Sequence, residues 1–142
     1  MVILYDRFNL PENIYGVIFA TPQQVIVAKL LIDHMKENQG EIGKTEMSLF
    51  ATKLHDGNLI AELDEPPYVG KTARISYNKR QFYDRILTPL KSMGMIEYDL
   101  YKKTYRLSDK FQKDMIKIGI MWKQELEAPA MKFRKDKGIR PF

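Results

Sequence analysis

SYNKRQFYDRILTPLKSMGMIEYDLYKKTYRL, residues 76–107, is the stretch around which the rest of the chain is read. Its first half carries Phe82, Ile86, Leu90 and Met93 at spacings of four, four and three, the apolar stripe of an amphipathic helix over 78–93. Asn78 with Gln81 three residues on forms a capping pattern, Ser76 is the alternative cap, and Gly94 stops the helix. Pro89 lies inside the stripe, removes a backbone donor, and is expected to kink the helix or end its regular part. Beyond Gly94, Ile96 and Tyr98 alternate with Glu97 and Asp99, and Tyr105 and Leu107 with Thr104 and Arg106. That pattern predicts a two-stranded hairpin over 95–107 with Leu100 to Lys103 as its turn.

Upstream, Thr21-Pro22-Gln23-Gln24 is a helix start, with Thr21 as cap and Pro22 at the first helical position. Val25, Ala28, Leu31, Ile32 and Met35 share one face of a helix predicted over 22–38, widened by Val27 and Leu30 and ended by Gly40. Glu41-Ile42-Gly43 has the length of a bridging strand only. Thr45 is the expected cap of a second helix over 46–55, where Met47, Phe50, Ala51 and Leu54 recur at helical spacing. Before these, Val2–Tyr5 and Ile14–Ala20 are short apolar runs around NLPEN, and the second alternates like a strand. His55-Asp56-Gly57-Asn58 ends the second helix with turn residues, and residues 59–75 of the 56–75 connection are harder to place. Asp64, Glu65, Pro66, Pro67 and Gly70 make their middle irregular, with another helical turn open to the first residues from Leu59 and a strand to the last.

Downstream, Ser108 caps a helix over 109–127 with Phe111, Met115, Ile118, Trp122 and Leu126 on one face. Ile116 and Ile120 add a second apolar surface, and Pro129 ends the helix. The expectation is a single domain over 1–127, followed by a basic, flexible tail over 128–142.

Charge is unevenly placed. Of a net +5, residues 1–70 hold 5 basic and 10 acidic side chains, residues 71–106 hold 9 and 3, and residues 107–142 hold 9 and 5. A concentrated basic region suits a polyanion, because each neutralised phosphate releases condensed counterions. The absence of cysteine excludes disulfides, thiolate nucleophiles and cysteine-type zinc sites. No apolar run approaches a membrane-spanning length, and MVILYDRF lacks signal-peptide charge order, so a cytoplasmic, DNA-associated protein is expected. His34 and His55 have no ligand spacing, no phosphate-loop glycine pattern occurs, and Asp64-Glu65 sit beside prolines. The residues therefore predict no enzyme, no cofactor and no metal.

The order helix, short strand, helix, helix, hairpin resembles the winged helix-turn-helix superfamily, over about residues 21–107. FYDRILTPLKSMGMIEYDLYKKTYRLSDKF looks like a recognition helix, a closing Leu90, Gly94, Ile96 signature and a wing. Leu90 packs the helix end, Gly94 supplies a left-handed turn, and Ile96 opens the first wing strand. The resemblance implies an α+β, mainly helical fold, a three-helix core with a β-hairpin wing, here with an N-terminal strand region and an added C-terminal helix. The chain departs from the superfamily in one respect: some twenty residues lie between Leu54 and Ser76, where a tight turn is usual. Either they are an insertion or the 46–55 helix is not the motif's second helix.

The function that the resemblance implies is double-stranded DNA binding, with helix 78–93 in the major groove and wing 95–107 on the backbone or minor groove, as in a transcriptional regulator. The face opposite the stripe carries Tyr77, Arg80, Gln81, Asp84, Thr88 and Lys91, with Asn78 and Lys79 crowding its N-terminal end. Lys71 and Arg74 precede it and suit phosphates; Lys102 and Lys103 at the wing tip suit a backbone or a minor groove, with Tyr101 beside them and Arg106 following on the return strand. An ordinary solvated face and a charged hairpin tip explain the same residues more blandly. Tyr83, Tyr98 and Tyr105 read as packing residues. Helix 109–127, through Trp122, Ile116 and Ile120, suits a homodimer or packing back on the first helix. The alternative functions are a protein-interaction module of a larger assembly and a replication-initiator type of DNA-binding protein.

Overall fold

The computed structural model describes residues 6–63 and 71–132, with the backbone alone at 61–63 and 71. The fold is α+β and mainly helical with small antiparallel sheets. After a 3-10 turn at Arg7–Asn9, the elements are α1 (Ile14–Ile18), α2 (Pro22–Glu37), β1 (Glu41–Gly43), α3 (Lys44–His55), β2 (Leu59–Leu63) and β3 (Lys71–Ile75). There follow α4 (Lys79–Phe82), a π-helical turn (Tyr83–Leu87), α5 (Thr88–Ser92), β4 (Ile96–Asp99), β5 (Thr104–Leu107) and α6 (Lys110–Glu127). The chain divides into two units, one ending at Phe111 and one starting at Gln112.

The core of the first unit is built on α2, where Val27, Ala28, Leu31 and Met35 are buried. Met47, Phe50, Ala51 and Leu54 of α3 join them, with Phe82, Ile86, Leu87 and Leu90 of the third helical stretch. Burial of one such side chain stabilises by about 1.5–3 kcal/mol. Thr21 caps α2 as the sequence predicts, its Oγ1 accepting the Gln24 N–H at 3.2 Å. The three-stranded sheet runs β1-β5-β4, with Ile42 opposite Tyr105 and Tyr105 opposite Tyr98. Ile42, Ile96 and Tyr105 turn inward from it.

Three expectations are corrected. Ile14–Ile18 forms helix α1, not a strand: Asn13 Oδ1 accepts the Gly16 N–H at 3.0 Å, and the buried pair is the consecutive Ile18 and Phe19. Alternation alone could not see that local cap. The Val2–Tyr5 run lies outside the described residues. Thr45 does not cap α3, which starts at Lys44 with Gly43 at the cap position and no side-chain bond there. The carbonyl of Lys103, far along the chain, takes the Lys44 N–H at 2.9 Å and does the work of a local cap.

Leu59–Leu63 is a strand and not a helical turn; it pairs with β3 from Leu59↔Ile75 to Leu63↔Lys71. Residues 64–70 lie outside the described residues. Because the hairpin leaves and returns at one place, α3 still meets α4: Tyr77 N–H donates to the Leu54 carbonyl at 3.0 Å. The long connection thus returns to the end of the helix it left. Gly57, with φ +71, makes the exit, as the Asn58 N–H reaches back to Lys53 O and its own N–H to Leu54 O.

The disturbance expected at Pro89 takes a specific form: regular α-helix stops at Phe82 and resumes at Thr88, with one wide turn between them, just before the proline. Pro89 has no N–H to give Arg85's carbonyl, and its ring crowds that carbonyl in a regular helix. The π turn relieves both, with Thr88 donating its N–H, and its hydroxyl at 2.8 Å, to Tyr83 O. One extra residue per turn sets the downstream face back by about 100°. That brings Leu87 into the core and leaves Met93 half-buried.

Gly94 ends the helix as expected, at φ +79, with Met95 N–H bonded to Leu90 O. Ser108 Oγ accepts the Lys110 N–H at 3.2 Å and starts α6. No residue of α6 is buried, and Ile116, Ile118, Ile120, Trp122 and Leu126 are exposed. The tail expectation for 128–142 falls mostly on 133–142, outside the described residues. Among the described residues, no helix is long and apolar enough to cross a membrane.

Candidate nucleic-acid interface

Helix packing leaves one side of the α4–α5 stretch in solvent, and the cap comes first. Asn78 Oδ1 accepts the Gln81 N–H at 3.1 Å, and His55 Nδ1 of α3 accepts the Lys79 N–H at 3.1 Å. Two of the helix's orphan donors are so satisfied, one locally and one from another helix. The bond from Lys79 requires His55 to present Nδ1 without a proton. Asn78 is therefore a capping residue, exposed but with its side-chain oxygen engaged.

Lys79 and Tyr77 leave the expected face. The Lys79 ammonium donates to Ser48 Oγ at 3.2 Å and Thr52 Oγ1 at 3.0 Å, pinning α4 to α3. Tyr77 is 7% exposed and belongs to the core. Its backbone bond to Leu54 O fixes it before the helix begins, where helical phase does not apply.

Arg80, Gln81, Asp84 and Thr88 lie on the exposed face together. Arg80 is extended, its side chain 91% exposed and its Nε 3.9 Å from Asp84 Oδ2, a contact too loose and wet to hold it. Arg85 joins this face and was not foreseen. On a regular helix it flanks the core stripe; the wide turn rotates it outward. The signal was Pro89, four residues later. Thr88 spends its hydroxyl proton on the helix and keeps an acceptor. Lys91 is exposed, with its ammonium 5.9 Å from the ring centres of both Tyr98 and Tyr105. Each such contact contributes about 0.5–1 kcal/mol at an exposed site.

Those two tyrosines pack against each other across the hairpin in a tilted arrangement, ring centres 4.7 Å apart and planes at 54°, and Tyr83 edges onto Phe82 at 5.5 Å. They are packing residues. On the hairpin, Arg106 is not a spare cation: its Nε and Nη2 bond Glu97 Oε2 at 3.1 and 2.9 Å. Lys110 Nζ meets the other oxygen of Glu97 at 2.6 Å. The Lys110 ammonium first, and then the Arg106 guanidinium, hold the Glu97 carboxyl below its usual range.

The turn is held by Asp99, whose Oδ1 accepts the N–H groups of Tyr101 at 2.9 Å and Lys102 at 3.1 Å. Those donors, that of Lys102 foremost, also hold the Asp99 carboxyl below its usual range. Lys103 closes the turn at φ +54. Tyr101, Lys102 and Lys103 are fully outside, and Arg74 is exposed on β3. No ion pair among the described residues engages Arg74, Arg85, Lys102 or Lys103.

No protein-family model, curated protein or solved structure matches this chain. Its site is therefore read from geometry and charge.

Elsewhere, α2, α3 and β2 border an open groove of about 860 Å³. Asp33, Glu37 and Glu46 rim it, and His34 stacks on Phe50 with Nε2 3.2 Å from Glu46. This acidic side contrasts with the cations of α4, α5 and the turn. Among the described residues, no group of three or more acidic or histidine side chains could hold a metal.

Proposed function

We propose that this protein binds double-stranded DNA as a winged helix and acts as a transcriptional regulator. The α4–α5 stretch is the recognition helix, entering the major groove with Arg80, Gln81, Arg85 and Thr88. Hairpin β4–β5 is the wing, and Lys102 and Lys103 hold a flanking phosphate or minor groove. The element order α2, β1, α3, α4–α5, β4, β5, with sheet order β1-β5-β4, supports the wing assignment. The observation that carries the reading is the exposed face itself: two arginines, a glutamine and a threonine stand in solvent along one helix whose other side is core. Arginine pairs with guanine and glutamine with adenine in the major groove, while lysines at a turn tip suit phosphates.

The exposed apolar face of α6 supplies the contact for a second copy, so the DNA-bound form is a homodimer. A competing reading follows from that same face: an interaction module of a larger assembly, with no use for duplex DNA. Salt titration separates them. Duplex affinity of the proposed regulator falls steeply with salt, and Arg80→Ala combined with Lys102→Ala weakens it. If that double variant binds a duplex pool as tightly as the parent at every salt concentration, the DNA reading is wrong. A replication initiator would share the binding chemistry, and selection of one operator-like sequence from the pool favours the regulator.

A further inference from the structure

The turn of the β4–β5 hairpin carries more than charge. Leu100 is 77% exposed and Tyr101 99%, side by side ahead of Lys102 and Lys103. Single apolar residues on a surface are ordinary. What sets this pair apart is how firmly it is presented. Asp99 Oδ1 accepts two successive N–H groups of the turn, Lys103 takes the left-handed conformation, and the Lys103 carbonyl accepts the Lys44 N–H at 2.9 Å. Thr104 Oγ1 is tied to Glu41 Oε1 at 2.6 Å on the neighbouring strand. A turn meant only for phosphates needs its lysines and nothing apolar. A protein-binding tip would place its lysines elsewhere, since interface cores are depleted of them.

We propose that this tip is a wedge: Leu100 and Tyr101 enter between adjacent base pairs of the duplex and unstack them, while Lys102 and Lys103 hold the flanking phosphates. The wedge rests on the duplex binding proposed above. Side chains of this kind, inserted from the minor groove, partly unstack a step and untwist the helix. Pyrimidine–purine steps open most readily, so the wedge adds a sequence preference without any hydrogen bond to a base.

The test uses the full chain with closed circular DNA relaxed by a topoisomerase, beside a fluorescent duplex titrated over a range of salt. The parent protein shifts the topoisomer distribution as a helix-unwinding ligand does. Leu100→Ala with Tyr101→Ala abolishes the shift even at protein concentrations that saturate the DNA, and leaves the salt slope unchanged because no phosphate contact is removed. Tyr101→Phe keeps the shift. Lys102→Ala with Lys103→Ala lowers the salt slope by about 2. Duplex binding with no topoisomer shift, or a shift that survives loss of both Leu100 and Tyr101, overturns the wedge and leaves the DNA reading standing. Absence of duplex binding overturns both.

Discussion

The two hairpins of this protein are built from strands of similar length and have opposite standing in the fold. Hairpin β4–β5 is stitched into a three-stranded sheet by β1, turns Ile96 and Tyr105 into the core, and is clamped outside by Arg106, Glu97 and Lys110. Among the described residues, hairpin β2–β3 pairs only with itself, and Ile60 stands 65% exposed. Among the described residues it joins the core through buried Ile75, half-buried Leu59 and Ala73, the Tyr77 bond to Leu54, and a bond from Gln23 Nε2 to the Ser76 carbonyl at 3.0 Å. An isolated two-stranded hairpin is marginal in water. The difference teaches that the first hairpin is structural and presents a tip, whereas the second is an appendage that the fold tolerates because its two ends coincide.

The sharpest way to break that contrast is a matched pair of truncations. Ile96→Ala removes a fully buried side chain and is expected to cost about 2–5 kcal/mol in urea unfolding. Ile60→Ala is expected to stay within about 0.5 kcal/mol; equal losses would show that the β2–β3 hairpin is part of the core. Gly94→Ala comes next, at about 1–2 kcal/mol, because φ +79 disfavours any Cβ. A Cβ there also sits 3.3 Å from that of Lys110. Replacing residues 60–74 with a short Gly-Ser linker is expected to cost less than about 1 kcal/mol while unfolding stays cooperative. Loss of cooperativity in that variant would make the hairpin integral after all.

The smallest effect is one of pH, at the tip. Asp99 has a folded pKa below its unfolded one, so its contribution is present above the unfolded value and fades as pH falls through the folded value. Amide resonances of Tyr101 and Lys102 are therefore expected to lose dispersion only at a pH below about 4, under the range in which an unperturbed aspartate protonates. Asp99→Asn, which keeps the acceptor, should remove that dependence. A tip whose resonances titrate identically in both proteins would not be held by this carboxylate.

Much of the fold was legible because its causes are local. The buried faces of α2 and α3, the Thr21, Asn78 and Ser108 caps, the Gly94 turn and the strands of β4–β5 all follow from residues within a turn or two of one another. The candidate site was legible only in part, for the same reason. Arg80, Gln81, Asp84 and Thr88 were placed by helical phase, and Lys102 and Lys103 by the hairpin turn. Lys79, Tyr77 and Arg106 were assigned to a binding face because each is polar or aromatic at the right phase, yet their partners lie elsewhere in the chain.

By itself, then, the sequence determined which segments are helical or extended, where they start and stop, and where positive charge collects. Caps, periodicity and turn conformations are decided by neighbours along the chain, and those are written in order. Tertiary structure alone decided which cations stay available and which are taken up, because Glu97, Ser48 and Thr52 reach their partners through space. It also decided that a proline opens one helical turn rather than ending the helix, since core packing on both sides holds the helix together across it.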